Sequence, residues 1–173
     1  MPVLKIIHKE KFHFHQNWSG KYKDDAALHD VISYCTQSSK ACCVDGIAVY
    51  PSNAVFEMER LAQAFGKGSG LRLRHWIVSF SIRELKGFDK SQLPEILHSF
   101  GWYAANYYGW QYQTLFAVHL CCNNPHIHFV MNTVNYHTGA KYPGDKADYY
   151  RYQQYLQEFF NELGMILTVS SDQ

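Results

Sequence analysis

Two neighbouring apolar segments joined by a short polar turn constrain the fold of this chain most strongly. The segments run from Tyr112 to Leu120 and from Pro125 to Asn135, and the turn between them reads C-C-N-N. Both segments read as β-strands. Because so short a connection joins antiparallel strands, the sequence predicts a β-hairpin here.

The other predicted elements mix strands and helices without strict alternation. Three more strands are expected, at Val3 to Ile7, Cys43 to Tyr50 and Leu71 to Ile82. Capping residues and apolar periodicity predict four helices: Asp24 or Asp25 to about Cys35, Asn53 to Gly66, Ser91 to Gly109, and Lys146 to Leu163. The pattern indicates an α+β fold with a central, mainly antiparallel β-sheet covered by helices.

The composition limits the class of protein. An apolar fraction of 47% in 173 residues fits one globular domain. The net charge is only +1 at pH 7, so a nucleic-acid site would have to come from local clusters of basic residues. The five cysteines are odd in number and include no C-x-x-C pair, which favours free thiols in a reducing compartment. No signal peptide or membrane segment is visible, so we expect a cytoplasmic protein.

Three histidines of the predicted hairpin form the clearest candidate site. Residues two apart on a strand point to the same side, so His126 and His128 share one face. If Leu120 pairs with Pro125, His119 lies opposite His126, with the Cβ atoms roughly 5 Å apart. Three imidazoles that converge in this way can bind a divalent metal and leave positions open for water or substrate.

An H-x-H pair alone carries less weight, because it arises by chance and strand histidines often simply face solvent. The run from Phe129 to Met131 marks a buried strand, however, where clustered polar groups need partners. A second pair, His13 and His15, has no third histidine in a comparable setting. We interpret it as part of a polar or edge strand, or of a loop that faces DNA.

Tyr34 is the candidate nucleophile. It lies near the end of the first predicted helix and is followed by a polar run and Lys40. A tyrosine can attack a phosphate whose oxygens a metal polarises, and a lysine can hold a neighbouring phosphate. The residue types alone do not select Tyr34 from the 13 tyrosines of the chain.

Four sequence blocks between roughly residues 25 and 142 follow one another in order: VISYCTQSSK, GIAVYPSNAVFEMERLAQAFGK, RHWIVSF and VHLCCNNPHIHFVMNTVNYHTGAKY. Together they resemble the relaxases, or mobilisation nucleases, of conjugative and mobilisable elements, which belong to the His-hydrophobe-His (HUH) endonucleases. The first block resembles the motif with the nucleophilic tyrosine, and the last resembles the motif with three metal-binding histidines. The chain departs from the family at three places: Cys121 stands where many relatives have an acid, Ala48-Val49 replaces Asn-Cys, and the segment from Lys9 to Lys23 has no clear counterpart.

The resemblance implies an HUH-endonuclease-like fold and a specific reaction. Tyr34 would cut single-stranded DNA at an origin of transfer, leaving a 5′-phosphotyrosine and a free 3′-hydroxyl, and the reverse step would rejoin the strand. His119, His126 and His128 would hold Mn²⁺ or Mg²⁺, and three imidazoles suit Mn²⁺ or softer metals better than Mg²⁺. Expected partners are the origin DNA, accessory relaxosome proteins and a coupling protein. Residues 1–173 are expected to be one nicking domain, either alone or as the N-terminal part of a longer protein.

Five further residues are predicted to contact DNA or to support the metal ligands: Lys40, His75, Arg72, Arg74 and Lys141. The segment KGSGLRLR, with basic residues and interspersed glycines, fits a phosphate-binding loop and fits an ordinary solvated loop equally well. His75 either binds phosphate or supports a metal ligand.

Two alternatives to a relaxase remain open from the sequence. A rolling-circle replication initiator or a single-tyrosine transposase belongs to the same superfamily, and such transposases usually place the tyrosine after the histidine pair. Candidates there are Tyr149, Tyr150, Tyr152 and Tyr155, although the order of motifs favours Tyr34. The other alternative is a metal-stabilised DNA-binding module without catalytic activity.

Overall fold

A six-stranded sheet with helices on both faces forms the described part of the chain, which comprises residues 1–6, 22, 24–120 and 124–169 of a computed structural model. The strands are β1 (Val3–Ile6), β2 (Ala41–Ile47), β3 (Leu73–Ser79), β4 (Tyr112–His119), β5 (His126–Asn135) and β6 (Thr168–Val169). The helices are α1 (Asp25–Cys35), α2 (Ala54–Ala64), α3 (Leu93–Gly109) and α4 (Lys146–Glu162). None of these described helices is long and apolar enough to cross a membrane.

The sheet is antiparallel except at one edge. Its strand order is β2-β4-β5-β3-β1-β6, and only the β1–β6 pair is parallel. The predicted hairpin forms its interior pair, β4 and β5, and His119 lies opposite His126 as expected. The predicted fold class and the predicted hairpin register are therefore confirmed.

Alternation along β5 divides the side chains between two cores, since neighbouring residues of a strand point to opposite faces. Helices α3 and α4 cover one face, where Phe129 packs among other aromatic side chains such as Trp76 and Phe160. Helices α1 and α2 cover the other, where Val130 packs against the apolar sides of both helices. His128 therefore faces the side of the sheet that carries α1.

Several predicted boundaries are wrong by one to three residues. Strand β2 ends at Ile47 rather than Tyr50, because Ala48 adopts a positive φ of 56° that turns the chain away from the sheet. Strand β3 is shorter than predicted at both ends. Helix α3 begins after Gln92 rather than Ser91, and the side chain of Gln92 makes no capping hydrogen bond.

Candidate metal centre and nucleophile

Helix α1 carries Tyr34 to the histidine side of the sheet. The side chain of Asp24 caps the helix by accepting a hydrogen bond from the Ala27 N–H, and Thr36 ends it by donating to the Ile32 carbonyl. The buried stripe of the helix consists of Leu28, Val31, Ile32 and Cys35. Because Cys35 lies in this stripe, its neighbour Tyr34 lies at the rim of the core and is 39% exposed.

The three histidines of the hairpin come together on this face. The ring centroids of His119 and His128 are 4.6 Å apart, those of His126 and His128 are 4.8 Å apart, and those of His119 and His126 are 5.0 Å apart. One nitrogen from each ring lies within 4.8 Å of the other two. The structure thus brings the three predicted ligands within the span of a single metal ion.

Each ring is also held through a second nitrogen. His119 donates from Nε2 to the Cys35 carbonyl at 2.7 Å, and His126 donates from Nδ1 to the Asn124 carbonyl at 2.9 Å. The Nδ1 of His128 lies 2.9 Å from Nε2 of His75. A neutral imidazole that donates from one nitrogen offers the lone pair of the other, and metal-binding histidines are commonly anchored in this way.

Burial keeps these imidazoles neutral. It lowers the pKa of His128 far below 6.5, helped by the neighbouring imidazoles and by Lys40. The pKa of His75 falls to about 3, mainly through burial and secondarily through His126. Burial also lowers the pKa of His119 and of His126, and carbonyl contacts from Cys35 and Asn124 oppose this effect. Neutral imidazole is the form that binds a metal, so the site is prepared for one at neutral pH.

Tyr34 and Lys40 stand beside the cluster. The Tyr34 ring meets His128 edge-on, with centroids 5.7 Å apart and planes at 87°. The Lys40 ammonium lies over the Tyr34 ring, 4.4 Å from its centroid. Tyr34 and His126 are both partly exposed at this edge of the fold, so a ligand can approach the phenol and the clustered imidazole nitrogens from the same side.

Sequence reasoning missed the part that Cys35 plays. The residue after Tyr34 accepts the His119 hydrogen bond through its carbonyl, and its sulfur lies 3.7 Å from Nε2 of His75. Only its place in the apolar stripe of α1 signalled that it would face the sheet. Cys121, His13 and His15 fall outside the described residues.

Three of the predicted DNA contacts lie at the opposite end of the sheet. Ser79 pairs with His126, whereas Leu73 pairs with Asn132, so the N-terminal end of β3 is roughly 20 Å from the end that carries the clustered histidines. At that far end, Arg72 is 3% exposed, forms a 2.5 Å ion pair with Asp25, and donates to the Gly68 carbonyl.

The other two basic residues of this group also have protein contacts. The Arg74 guanidinium lies 4.7 Å from the centroid of the Tyr142 ring. Lys141 donates to the Leu71 carbonyl at 2.8 Å and to Thr133 Oγ1 at 3.3 Å. Arg72, Arg74 and Lys141 therefore do not join the histidine cluster, unlike Lys40 and His75.

The tyrosines of helix α4 lie on the side of the sheet opposite the histidine cluster. Tyr152 is buried, accepts a hydrogen bond from Trp76 Nε1 at 3.0 Å, and donates to the Ala104 carbonyl. Tyr155 donates to the Tyr103 carbonyl on α3. Tyr150 is 50% exposed on α4, a helix that packs on the face opposite the histidines. The arrangement favours Tyr34 over every tyrosine of α4.

Comparisons with known proteins identify the family and the fold of this chain. A family model described as "Relaxase: MobA/VirD2-like, nuclease domain" matches residues 34–165. No curated protein matches the chain. Among solved structures, the MobM relaxase domain bound to plasmid pMV158 oriT DNA, with Mn bound, is 13% identical and has a TM-score of 0.60, covering 98% of this chain and 90% of that one.

A second solved chain, from a study of vancomycin resistance transfer in Staphylococcus aureus, is also 13% identical. Its TM-score is 0.47, and the match covers 78% of this chain and 77% of that one. The MobM likeness establishes a shared fold. The family match extends over most of the chain and includes Tyr34 and all three clustered histidines. The chain therefore belongs to the MobA/VirD2-like relaxases, as their DNA-cutting nuclease domain.

Proposed function

We propose that this chain nicks and rejoins one DNA strand at an origin of transfer, with Tyr34 as the nucleophile and His119, His126 and His128 as metal ligands. The edge-on contact between the Tyr34 and His128 rings carries the proposal. A phosphate bound at the histidines from this edge lies next to the phenol. The MobM structure, which contains oriT DNA and Mn, supports the same substrate and a divalent metal for this fold.

The donor set supports Mn²⁺ rather than Mg²⁺ as the working ion. Three neutral imidazole nitrogens suit Mn²⁺ and later transition metals, whereas Mg²⁺ prefers oxygen ligands. The anchoring of all three rings by hydrogen bonds also fits a metal site. When bound, the metal polarises the phosphate oxygens and stabilises the charge that develops on them.

The chemistry assigned to the chain is a transesterification. A bond forms between Tyr34 Oη and the phosphorus, the bond from phosphorus to the 3′ oxygen breaks, and the phenolic proton is balanced by protonation of that oxygen. The products are a 5′-phosphotyrosine and a 3′-hydroxyl. Because one phosphoester replaces another, the reverse reaction rejoins the strand without a nucleotide cofactor.

Lys40 supplies positive charge at this point. Its ammonium lies over the Tyr34 ring, where it can stabilise negative charge on the attacking oxygen or on an adjacent phosphate. Lys141, Arg72 and Arg74 stay predicted phosphate contacts, for the stretch of DNA that runs toward the far end of β3. Arg72 would have to give up its contact with Asp25 to take part.

The same proposal covers the extent of the domain, its location in the cell and its partners. We expect residues 1–173 to act as a single nicking domain, alone or as the N-terminal part of a longer protein. It would work in the cytoplasm of the donor cell with single-stranded origin DNA, accessory relaxosome proteins and a coupling protein.

Covalent capture of DNA tests this function. The full chain is incubated with Mn²⁺ and end-labelled single-stranded oligonucleotides that tile the transfer region of its own element, and adducts stable to detergent are resolved on gels. Wild type and the control Tyr150→Phe should form the adduct, whereas Tyr34→Phe and samples with EDTA should not.

Two outcomes would contradict the assignment. An adduct that survives Tyr34→Phe and disappears with Tyr150→Phe identifies a transposase-like arrangement. Binding of the origin oligonucleotide without any adduct, together with a melting temperature raised by Mn²⁺, identifies a non-catalytic DNA-binding module.

A further inference from the structure

His75 occupies a buried position on the same face of the sheet as the three clustered histidines. It lies on β3 diagonally across from His128 on β5, since His75 pairs with Val130 and His128 pairs with Ile77. The two rings stack at 25° with centroids 5.1 Å apart, and His75 Nε2 is 2.9 Å from His128 Nδ1. His75 is 4% exposed, so it cannot itself reach a phosphate on the surface.

The three clustered histidines differ in what anchors them. Backbone carbonyls, of Cys35 and Asn124, accept from His119 and His126. A carbonyl can only accept, so it fixes the position of the ring proton. His128 is the member of the cluster whose anchor is a side chain, and a neutral imidazole can either donate or accept at Nε2.

The proton arrangement between these two rings decides whether His128 can bind a metal. Nε2 of His128 faces Nε2 of His126 at 3.1 Å, on the side of the candidate site. A neutral His128 that offers this lone pair must carry its proton on Nδ1 and donate it to His75. If His75 donated instead, the His128 proton would sit on Nε2, where it would donate to Nε2 of His126 at 3.1 Å and block the ligand atom.

Building on the proposed function, we propose that His75 is a positioning residue. Its Nε2 accepts a hydrogen bond from His128 Nδ1–H, which holds His128 in the tautomer that presents Nε2 to the metal. His75 then carries its own proton on Nδ1. That atom is buried and has no hydrogen-bond partner among the described residues, so the polar contacts of this ring are both at Nε2, with His128 Nδ1 at 2.9 Å and with the Cys35 sulfur at 3.7 Å.

His75 and His128 also belong to a second group of possible metal ligands. Cys35, His75 and His128 also place one ligand atom each within 4.8 Å of one another. The 2.9 Å separation of the two imidazole nitrogens is that of a hydrogen bond and is shorter than the roughly 3.3 Å between two nitrogens on a tetrahedral ion. Burial also raises the pKa of the Cys35 thiol, which opposes the thiolate that a metal requires. The geometry therefore favours a supporting contact over a second metal site.

Two substitutions at His75 distinguish a hydrogen bond to His128 from simple packing of the ring. Gln at this position can still accept from His128 Nδ1–H through its side-chain oxygen, whereas Phe fills the space without an acceptor. Long-range ¹H–¹⁵N spectra of the metal-free protein report which nitrogen of His128 is protonated. Calorimetric titration with Mn²⁺, without DNA, reports metal affinity.

We expect an Nδ1-protonated His128 in wild type and in His75→Gln. His75→Phe should weaken Mn²⁺ binding about 10- to 100-fold, and His75→Gln should recover most of that loss. His29→Gln is the matched control, since it replaces an exposed histidine on α1 that lies beside Asp30 and not in the cluster, and it should leave Mn²⁺ affinity unchanged. Should His75→Phe fail to fold, the tautomer of wild type and the affinity of His75→Gln decide the question.

The contrary outcomes are distinct. Mn²⁺ binding in a folded His75→Phe that equals wild type, or an Nε2-protonated His128 in wild type, overturns this proposal and leaves the nicking function standing. Two bound ions in wild type, one of them lost in Cys35→Ala, identify a second metal site instead. A wild type that binds no Mn²⁺ contradicts the metal centre itself, and with it both proposals.

Discussion

Acid should destabilise the metal-free protein because its histidines are buried in the neutral form. The pKa of His75 is about 3 in the folded chain, against 6.5 for an ordinary histidine. Below pH 6.5 the unfolded chain therefore binds a proton that folded His75 does not bind. The stability contributed by neutral His75 is fully present above pH 6.5 and is lost as the pH falls from 6.5 toward 3.

The size of the effect follows from the two pKa values. Between pH 7.5 and pH 5, His75 alone should lower the free energy of unfolding by about 2 kcal/mol. For a chain of this length that corresponds to a fall in melting temperature of roughly 4–8 °C. His128 acts in the same direction, because its pKa is lowered further. Ordinary carboxyl groups contribute little in this range, since most of them stay ionised above pH 5.

Urea unfolding in EDTA at a series of pH values measures this dependence. Wild type should lose at least the amount assigned to His75, and His75→Gln should lose about 2 kcal/mol less than wild type over the same range. His29→Gln, which replaces an exposed histidine on α1, is the matched control and should follow the wild-type curve. A wild-type free energy of unfolding that stays constant from pH 7.5 to 5 would refute the reasoning.

Two further predictions concern the core that supports the site. Tyr152→Phe removes the acceptor of the Trp76 indole N–H and the donor to the Ala104 carbonyl. It should therefore lower the free energy of unfolding by about 1–3 kcal/mol in urea titrations, while the DNA adduct still forms. Loss of the adduct in a folded variant would make Tyr152 a candidate nucleophile again. Gly101→Ala places a Cβ 2.4 Å from the Phe116 ring on β4, so it should lower the free energy of unfolding by about 1–3 kcal/mol in the same titration. Gly87→Ala, where a Cβ has open space, is its control. Equal stability of the two variants would contradict the close packing of α3 on the sheet.

The hairpin could be predicted from sequence because local rules fix it. The length of the turn and the two-residue period of a strand set the register, and that register places His119 opposite His126. The helix that carries Tyr34 was also readable, from the Asp24 cap and the apolar stripe. The approach of Tyr34 to His128 could not be predicted in this way, since it depends on how α1 packs across the sheet. Only the resemblance to a family selected Tyr34.

Other features depend on contacts between distant residues. The local pattern around Arg72 resembles a phosphate-binding loop, but an ion pair with Asp25, 47 positions earlier, draws the side chain into the interior. The function of His75 depends on a diagonal neighbour on β5, 53 residues away. No local sequence rule reports which of its nitrogens faces that neighbour, so the supporting contact appears only in three dimensions.

A crystal structure of the protein grown with Mn²⁺, with anomalous diffraction data, tests the central claim most directly. We expect one manganese peak ligated by His119, His126 and His128, with the Tyr34 hydroxyl facing the open coordination positions. A peak between Cys35, His75 and His128, or a Tyr34 side chain turned away from an ion held by the three histidines, would contradict it.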